Sequence, residues 1–420
     1  MKKLLLLVIF LIWGYSYSQV EKNVLFIGNS QTYVNDLPFI TQNIASSVGD
    51  NLIYDESTFG GYSFLNHLNN ETTLSKIRQG NWDYVVLQGR SGWPSLEDSF
   101  VETNVYPYAK QLNDSILKYN PCSKTVFYHT WGYQNGYSFY CPTWPPVCTY
   151  EGMDDLLQLR YPIMAEDNEA ILSPVGPVWR YLNETPPIIN LYDPDGTHPS
   201  LSGSYAGALT FYTILFNKDP NLVDFNPGIF PIEITQIKDA VTNVVYNDLS
   251  QWYIGAYDPL VDFTYTYNSL HFSFSNNSTI ADSYHWNFGD GNTSMLENPE
   301  HIYNEHGVYQ VTLTITHCGS EYSTNETINT SLLSANEVIA KPFRILPNPV
   351  TNNLYLNSGL INHDLKINIY NLQGKLISSF VKAHSKRSEL DVAELKKGLY
   401  FIQIEDLTSL KLSNLKFVKK

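Results

Sequence analysis

Three side chains in this 420-residue sequence are of the types that acyl transfer to water requires: Ser30, Asp195 and His198. A serine hydroxyl becomes a useful nucleophile only if its proton leaves as it attacks. A neutral imidazole must receive that proton, and a carboxylate must hold the imidazole in the right tautomer. The segment Asp195-Gly196-Thr197-His198-Pro199-Ser200 puts both partners on one loop, and its Gly-containing turn lets the carboxylate reach Nδ1 while Nε2 faces a serine. The oxyanion formed on attack needs two or three hydrogen-bond donors. The backbone N–H groups of Ser30 and Gly61 are candidates, and the side-chain amide of Gln88 is a third. Each cluster also has a plainer reading. Gly28-Asn29-Ser30 makes an ordinary turn and cap, and Asp195 with His198 makes an Asx-turn and a capping pair. No metal is expected, because no third His or carboxylate stands at ligand spacing and the four cysteines lack zinc-site spacing. The chemistry needs no organic cofactor.

These residues need elements to position them. Val24 to Ile27 form an apolar run that stops at Gly28, the pattern of a buried parallel strand ending in a tight turn. Asn29 to Thr32 then supply cap chemistry for a helix through Phe39, Ile40, Ile44 and Val48. Residues 84–88 and 125–131 read as further strands, with another expected ahead of Phe59, and helical patterns lie near 36–48, 63–79, 101–119, 154–171 and 202–216. The alternation from Asn23 to about Asp248 predicts an α/β region with a parallel sheet between helices. In such a fold the loops at the carboxyl ends of the strands carry function. Gly28-Asn29-Ser30, Phe59-Gly60-Gly61, Gln88-Gly89-Arg90-Ser91 and the Asp195 loop are all expected at that edge.

The ordered pattern GNS, GG, LQG, DGTHPS resembles the SGNH/GDSL hydrolase superfamily. That resemblance implies a three-layer, flavodoxin-like α/β/α domain, with Ser30 as nucleophile, Gly61 as an oxyanion glycine and Asp195–His198 completing the triad. The third block departs from the pattern, since Gln88-Gly89-Arg90-Ser91 stands where Gly-x-Asn-Asp is usual. Sialate O-acetylesterase-like members are similar here, which passes the amide-donor role to Gln88 with Ser91 as its substitute, and in the second block Gly60 fits almost as well as Gly61. His129, at the end of a strand, reads as a core or pocket residue rather than a second base.

Between Trp131 and Tyr150 lies an aromatic loop in which Cys141 and Cys148 flank Pro142 to Val147 and are expected to pair. Trp131 and Trp144, with Trp93 past the third block, are expected to bind substrate as stacking faces for sugar rings; a lid packed by its own aromatics is the alternative. Cys122 and Cys318 are left open, free or paired with each other. A net charge of −15 and a pI near 5.0 argue against nucleic acid as a partner. Residues 1–18 read as a signal peptide, with a retained anchor as the alternative. No later stretch approaches the ~18 apolar residues of a membrane span.

From about residue 250 the pattern changes to short alternating strands, predicting two small all-β sandwiches. Trp286-Asn287-Phe288-Gly289-Asp290-Gly291 resembles a PKD domain, over 258–331. Residues 332–341 read as a linker. In 345–420, Pro347-Asn348-Pro349, Gly374 and Gly398-Leu399-Tyr400 resemble the C-terminal sorting domain of type IX secretion. This implies a Bacteroidetes-type bacterium, the type IX machinery as a partner, and a secreted or cell-surface location. The expected function is a secreted serine esterase acting on an acylated carbohydrate or other small ester, with O-acetyl groups favoured. A lipase- or thioesterase-like acylhydrolase and a non-catalytic glycan-binding adhesin are the alternatives.

Overall fold

The structure is a computed structural model, and it describes residues 19–330, 343–346, 350–357, 363–371, 375–384, 387–407 and 411–419. The expectations for residues 1–18, the linker 332–341, Pro347 to Pro349 and Gly374 lie outside the described residues. Two compact units divide after Ile254.

In the first unit, β1 (Glu21–Gly28), β2 (Asn51–Thr58), β3 (Tyr84–Leu87), β4 (Lys124–Tyr128) and β5 (Ile171–Ser173) form one parallel sheet in the order β2-β1-β3-β4-β5. Val24, Leu25, Phe26 and Ile27 are wholly buried because β1 is central and covered on both faces. The strand order reverses direction between β1 and β3, the place where ligands bind in open α/β sheets. Ser30 and the Gln88 loop emerge on either side of that point.

The helices are α1 (Ser30–Tyr33), α2 (Leu37–Ser47), α3 (Phe64–Leu68), α4 (Glu71–Ile77), α5 (Asp98–Asn104), α6 (Tyr106–Tyr119), α7 (Tyr150–Asp167), α8 (Val175–Glu184), α9 (Leu201–Phe216) and α10 (Pro231–Val244). The pattern over 63–79 is two helices, because the Asn70 side chain accepts from Thr73 N–H and starts α4 afresh. The pattern over 101–119 breaks at Val105, where Pro107 suits only the first turn of α6. β5 is three buried residues directly after α7, too short to interrupt an apolar helical pattern. α9 is apolar all round and buried along nearly its whole length, as a helix enclosed by the fold must be. Asp50, with Lys218 at 2.7 Å and the Tyr212 hydroxyl at 3.2 Å, ties the end of α9 to the turn before β2.

The second unit is antiparallel β. Over 263–329, a three-stranded and a four-stranded sheet enclose Phe263, Phe272, Phe274, Trp286, Phe288 and Tyr303. Trp286 is wholly buried and donates its indole N–H to the Leu296 carbonyl at 3.0 Å. Asp290 faces His301 Nε2 at 2.8 Å and accepts from Asn292 N–H, holding the Gly-Asp-Gly turn. A further pair of sheets, from Arg344–Leu346 to Lys411–Lys419, packs Leu354, Leu356, Ile367, Ile402, Ile404 and Phe417 into its own core.

Candidate active site

Gly28 ends β1 in a turn so tight that an added Cβ would lie 2.3 Å from Thr32 Oγ1 and 2.8 Å from Gln88 Oε1. Asn29 follows in extended conformation, and its side chain ties three loops together. Oδ1 accepts from Gln31 N–H at 3.1 Å, while Nδ2 donates to the Tyr62 carbonyl at 3.0 Å and the Gly89 carbonyl at 2.9 Å. Ser30 is thereby fixed at the first position of α1.

Ser30 Oγ lies 2.8 Å from His198 Nε2, and His198 Nδ1 lies 2.5 Å from Asp195 Oδ2. The other oxygen, Oδ1, accepts from the N–H groups of Thr197 at 2.8 Å and His198 at 2.9 Å. One carboxylate therefore builds the Asx-turn and orients the imidazole together, so the plain and the chemical readings of this loop describe the same group. Partial burial raises the Asp195 carboxyl, but the hydrogen bonds from the His198 ring and from these two N–H groups outweigh it and hold the group well below the usual carboxylate range. An ionised Asp195 accepts a hydrogen bond from Nδ1–H, which leaves Nε2 unprotonated as acceptor for the serine.

The loop is braced from behind. Trp131 Nε1 and Gln31 Nε2 both donate to the Thr197 carbonyl, at 3.2 and 3.1 Å, and Gln134 N–H donates to the Gly196 carbonyl at 2.8 Å. Gly196 sits at φ +69°, which its lack of a side chain permits. Ser200 caps α9 through Gly203 N–H, so the residue after the loop is fixed as well.

Gln88 is corrected. Its side chain is wholly buried; Oε1 accepts from Asn29 N–H at 2.8 Å and Thr32 Oγ1 at 3.0 Å, and Nε2 donates to the Gly89 carbonyl. Because a backbone N–H can only donate, the amide orientation is fixed, with Oε1 spent on Asn29 and Thr32, one amide N–H on the Gly89 carbonyl and the whole side chain buried under the turn. The residue is a brace under the turn. Ser91 is engaged with the Tyr133 hydroxyl at 3.1 Å. The N–H groups of Ser30 and Gly61 have no acceptor among the described residues.

Trp131 is corrected too. It is 1% exposed and stacked on Trp179 at 3.8 Å, so it has no face to offer a sugar. Trp144 and Trp93 are half-buried; Trp144 donates its indole N–H to the Ser95 carbonyl, and Trp93 meets Phe100 edge-on. Cys141 and Cys148 form a disulfide that closes residues 141–148, directly after a chain of touching rings in which Tyr133 meets Tyr137, Tyr137 meets Tyr140 and Tyr140 meets Phe139.

Sequence reasoning missed His67 on α3. It is wholly buried, its Nε2 donates to the Gly28 carbonyl at 3.0 Å, and its Nδ1 accepts from Thr73 Oγ1 at 3.0 Å. Burial pushes its pKa down to about 4, with the Gly28 bond working the other way. The only signal was a histidine following Ser63-x-x-Asn66, a capping box that marks the helix but not the contact. His129 is 1% exposed and stacked on Tyr161, and burial pushes it down to about 3. It lies in the core.

Residues 264–331 match the family model of the PKD domain, and residues 344–420 match that of the secretion system C-terminal sorting domain. The second unit is a PKD domain followed by a sorting domain. The sorting domain directs type IX secretion to the cell surface or the exterior, and no helix among the described residues is long and apolar enough to cross a membrane. Collagenase ColA of Bacillus cereus is 37% identical over 81 residues, 19% of this chain and 8% of that protein. A protein of Slackia heliotrinireducens, described as a candidate SGNH hydrolase, matches 46% of this chain and 97% of its own at 24% identity and TM-score 0.38. A DUF4886 family protein of Bacteroides uniformis matches 55% and 95% at 17% identity and TM-score 0.47. A candidate GDSL-like lipase of Parabacteroides merdae matches 46% and 94% at 16% identity and TM-score 0.36. The functional reading rests on this chain's own residues.

Proposed function

We propose that the chain is a secreted serine esterase whose catalytic region spans 23–250, with PKD and sorting domains behind it. The observation that carries this reading is the hydrogen-bonded relay Ser30 Oγ–His198 Nε2 and His198 Nδ1–Asp195 Oδ2, at 2.8 and 2.5 Å. Ser30 attacks the ester carbonyl as His198 takes its proton. The tetrahedral oxyanion receives the N–H groups of Ser30 and Gly61. His198 then protonates the departing alcohol, and Asp195 stabilises the imidazolium throughout. Water repeats the sequence on the acyl-enzyme.

The acyl group is acetyl and the alcohol a carbohydrate. Export supports a substrate outside the cell, and the ring of Phe139, 78% exposed, supplies a flat face on the loop whose Gln134 N–H bonds the Gly196 carbonyl of the Asp195 loop. Hydrolysis of 4-nitrophenyl esters of increasing chain length tests this. Acetate should be turned over fastest, and Ser30→Ala should lose about a thousandfold or more. Preference for long acyl chains would move the reading to a lipase- or thioesterase-like enzyme. Equal inertness of both proteins, with glycan binding retained, would make the chain an adhesin.

A further inference from the structure

The first unit contains four arginines. Arg78 pairs with Glu71 at 2.5 Å, Arg160 with Asp98 at 2.5 Å, and Arg180 with Asp154 and Asp155 at 2.6 Å each. Arg90 has no carboxylate within ion-pair distance among the described residues, in a chain with 41 Asp and Glu against 26 Lys and Arg. It is also the arginine at the candidate site. It follows Gly89, whose carbonyl holds Asn29 beside the nucleophile, and it is exposed.

The guanidinium is held ready rather than left to wander. It lies 5.4 Å from the centre of the Trp93 ring and within hydrogen-bonding reach of the Tyr137 hydroxyl. Tyr137 is itself pinned: its N–H donates to the Val147 carbonyl inside the disulfide loop, and its ring fills the space where a Cβ on Gly92 would stand, at 2.3 Å. An exposed cation beside an aromatic ring, with no carboxylate on its planar fork, matches a carboxylate attached to a ring-shaped ligand. The acidic character of the chain repels polyanions in general, so such recognition has to be local.

We propose that Arg90 receives a carboxylate of the substrate, and that the ester cleaved at Ser30 is carried by an acidic glycan containing uronic-acid residues. This rests on the esterase reading for its catalytic half only. Arg90 sets which glycan is held; Ser30, His198 and Asp195 act on the ester.

Two measurements on the full chain test the proposal. In the Ser30→Ala protein, trigalacturonate binding is followed by calorimetry at low salt, with xylotriose and a sulfated neutral trisaccharide as comparisons. Trigalacturonate should bind best, and adding Arg90→Gln should weaken it about tenfold or more, with Arg90→Lys in between. In the active chain, the ratio of kcat/KM on O-acetylated polygalacturonate to that on acetylated xylan should fall about tenfold or more with Arg90→Gln. Equal binding of trigalacturonate and xylotriose, an unchanged ratio, or a uniform fall on both polymers would overturn the proposal, the last because Arg90 would then serve the reacting atoms. A sulfated sugar bound as tightly as trigalacturonate would overturn the carboxylate assignment. Arg90-dependent trigalacturonate binding in a chain that cleaves no ester would support the proposal and overturn the esterase reading.

Discussion

At the scale of single residues, the polar side chains around Ser30 divide into those proposed to carry its proton relay and those that hold the relay in place. Asp195 belongs to the first group. Asp195→Asn keeps the shape of the loop but donates an N–H toward Nδ1, favouring the wrong tautomer; kcat should fall about 10³- to 10⁴-fold with an almost unchanged melting temperature. Gln88 belongs to the second. Gln88→Leu leaves Asn29 N–H and the Thr32 hydroxyl buried without an acceptor, so stability should fall by about 1–3 kcal/mol in urea titrations. If Gln88 donated to the oxyanion instead, the loss would appear in kcat with stability intact. That Ser30, His198 and Asp195 meet was legible from residue types and one three-residue spacing. The role of Gln88 was not, because a sequence does not reveal that Asn29 N–H points at it and consumes its carbonyl oxygen. Trp131 was misread for a related reason: an aromatic in a loop advertises a ring face, and only packing on Trp179 reveals that the face is spent.

At the scale of elements, the turn at Gly28 depends on a histidine kept neutral by burial. His67, folded, titrates near 4, whereas an exposed histidine titrates near 6.5. Between these values the unfolded chain binds a proton that the native chain refuses, so stability contributed by neutral His67 is complete above about pH 6.5 and is lost as pH falls toward 4. The loss approaches about 3 kcal/mol at its limit. The urea midpoint should therefore drop between pH 7 and pH 4.5, and His67→Gln should flatten that slope; an equal slope in the variant would show that other groups control it. Strands and helices were legible where the apolar period was long and uninterrupted, as in β1, α2 and α9. β5 escaped because three residues carry no period, and α8 and α10 escaped because prolines at Pro177, Pro186, Pro187 and Pro231 made their surroundings look like loop. The division of 63–79 at Asn70 was hidden in a cap that competes with a continuing helix.

At the scale of the whole molecule, the three regions keep separate cores. Among the described residues, the buried apolar cluster of the first unit runs from Val24 to Trp252, that of the PKD domain from Val261 to Ile328, and that of the sorting domain from Phe343 to Phe417. Truncation after residue 341 should abolish export while leaving the chain detectable inside the cell envelope by fractionation; export that persists would remove the sorting role. The two β regions were the most legible part of the sequence, since Trp286 to Gly291 and the alternating strands carry a pattern that needs no long-range contact to recognise.

The central claim, that Ser30 is a nucleophile activated by His198 and Asp195, meets its most direct test in labelling by a fluorophosphonate ester followed by peptide mass spectrometry. The account expects one phosphonyl group on the peptide containing Ser30, formed rapidly in the native chain and slowed about a thousandfold or more in His198→Ala. A native chain that takes no label, or takes it on a different serine, would contradict it.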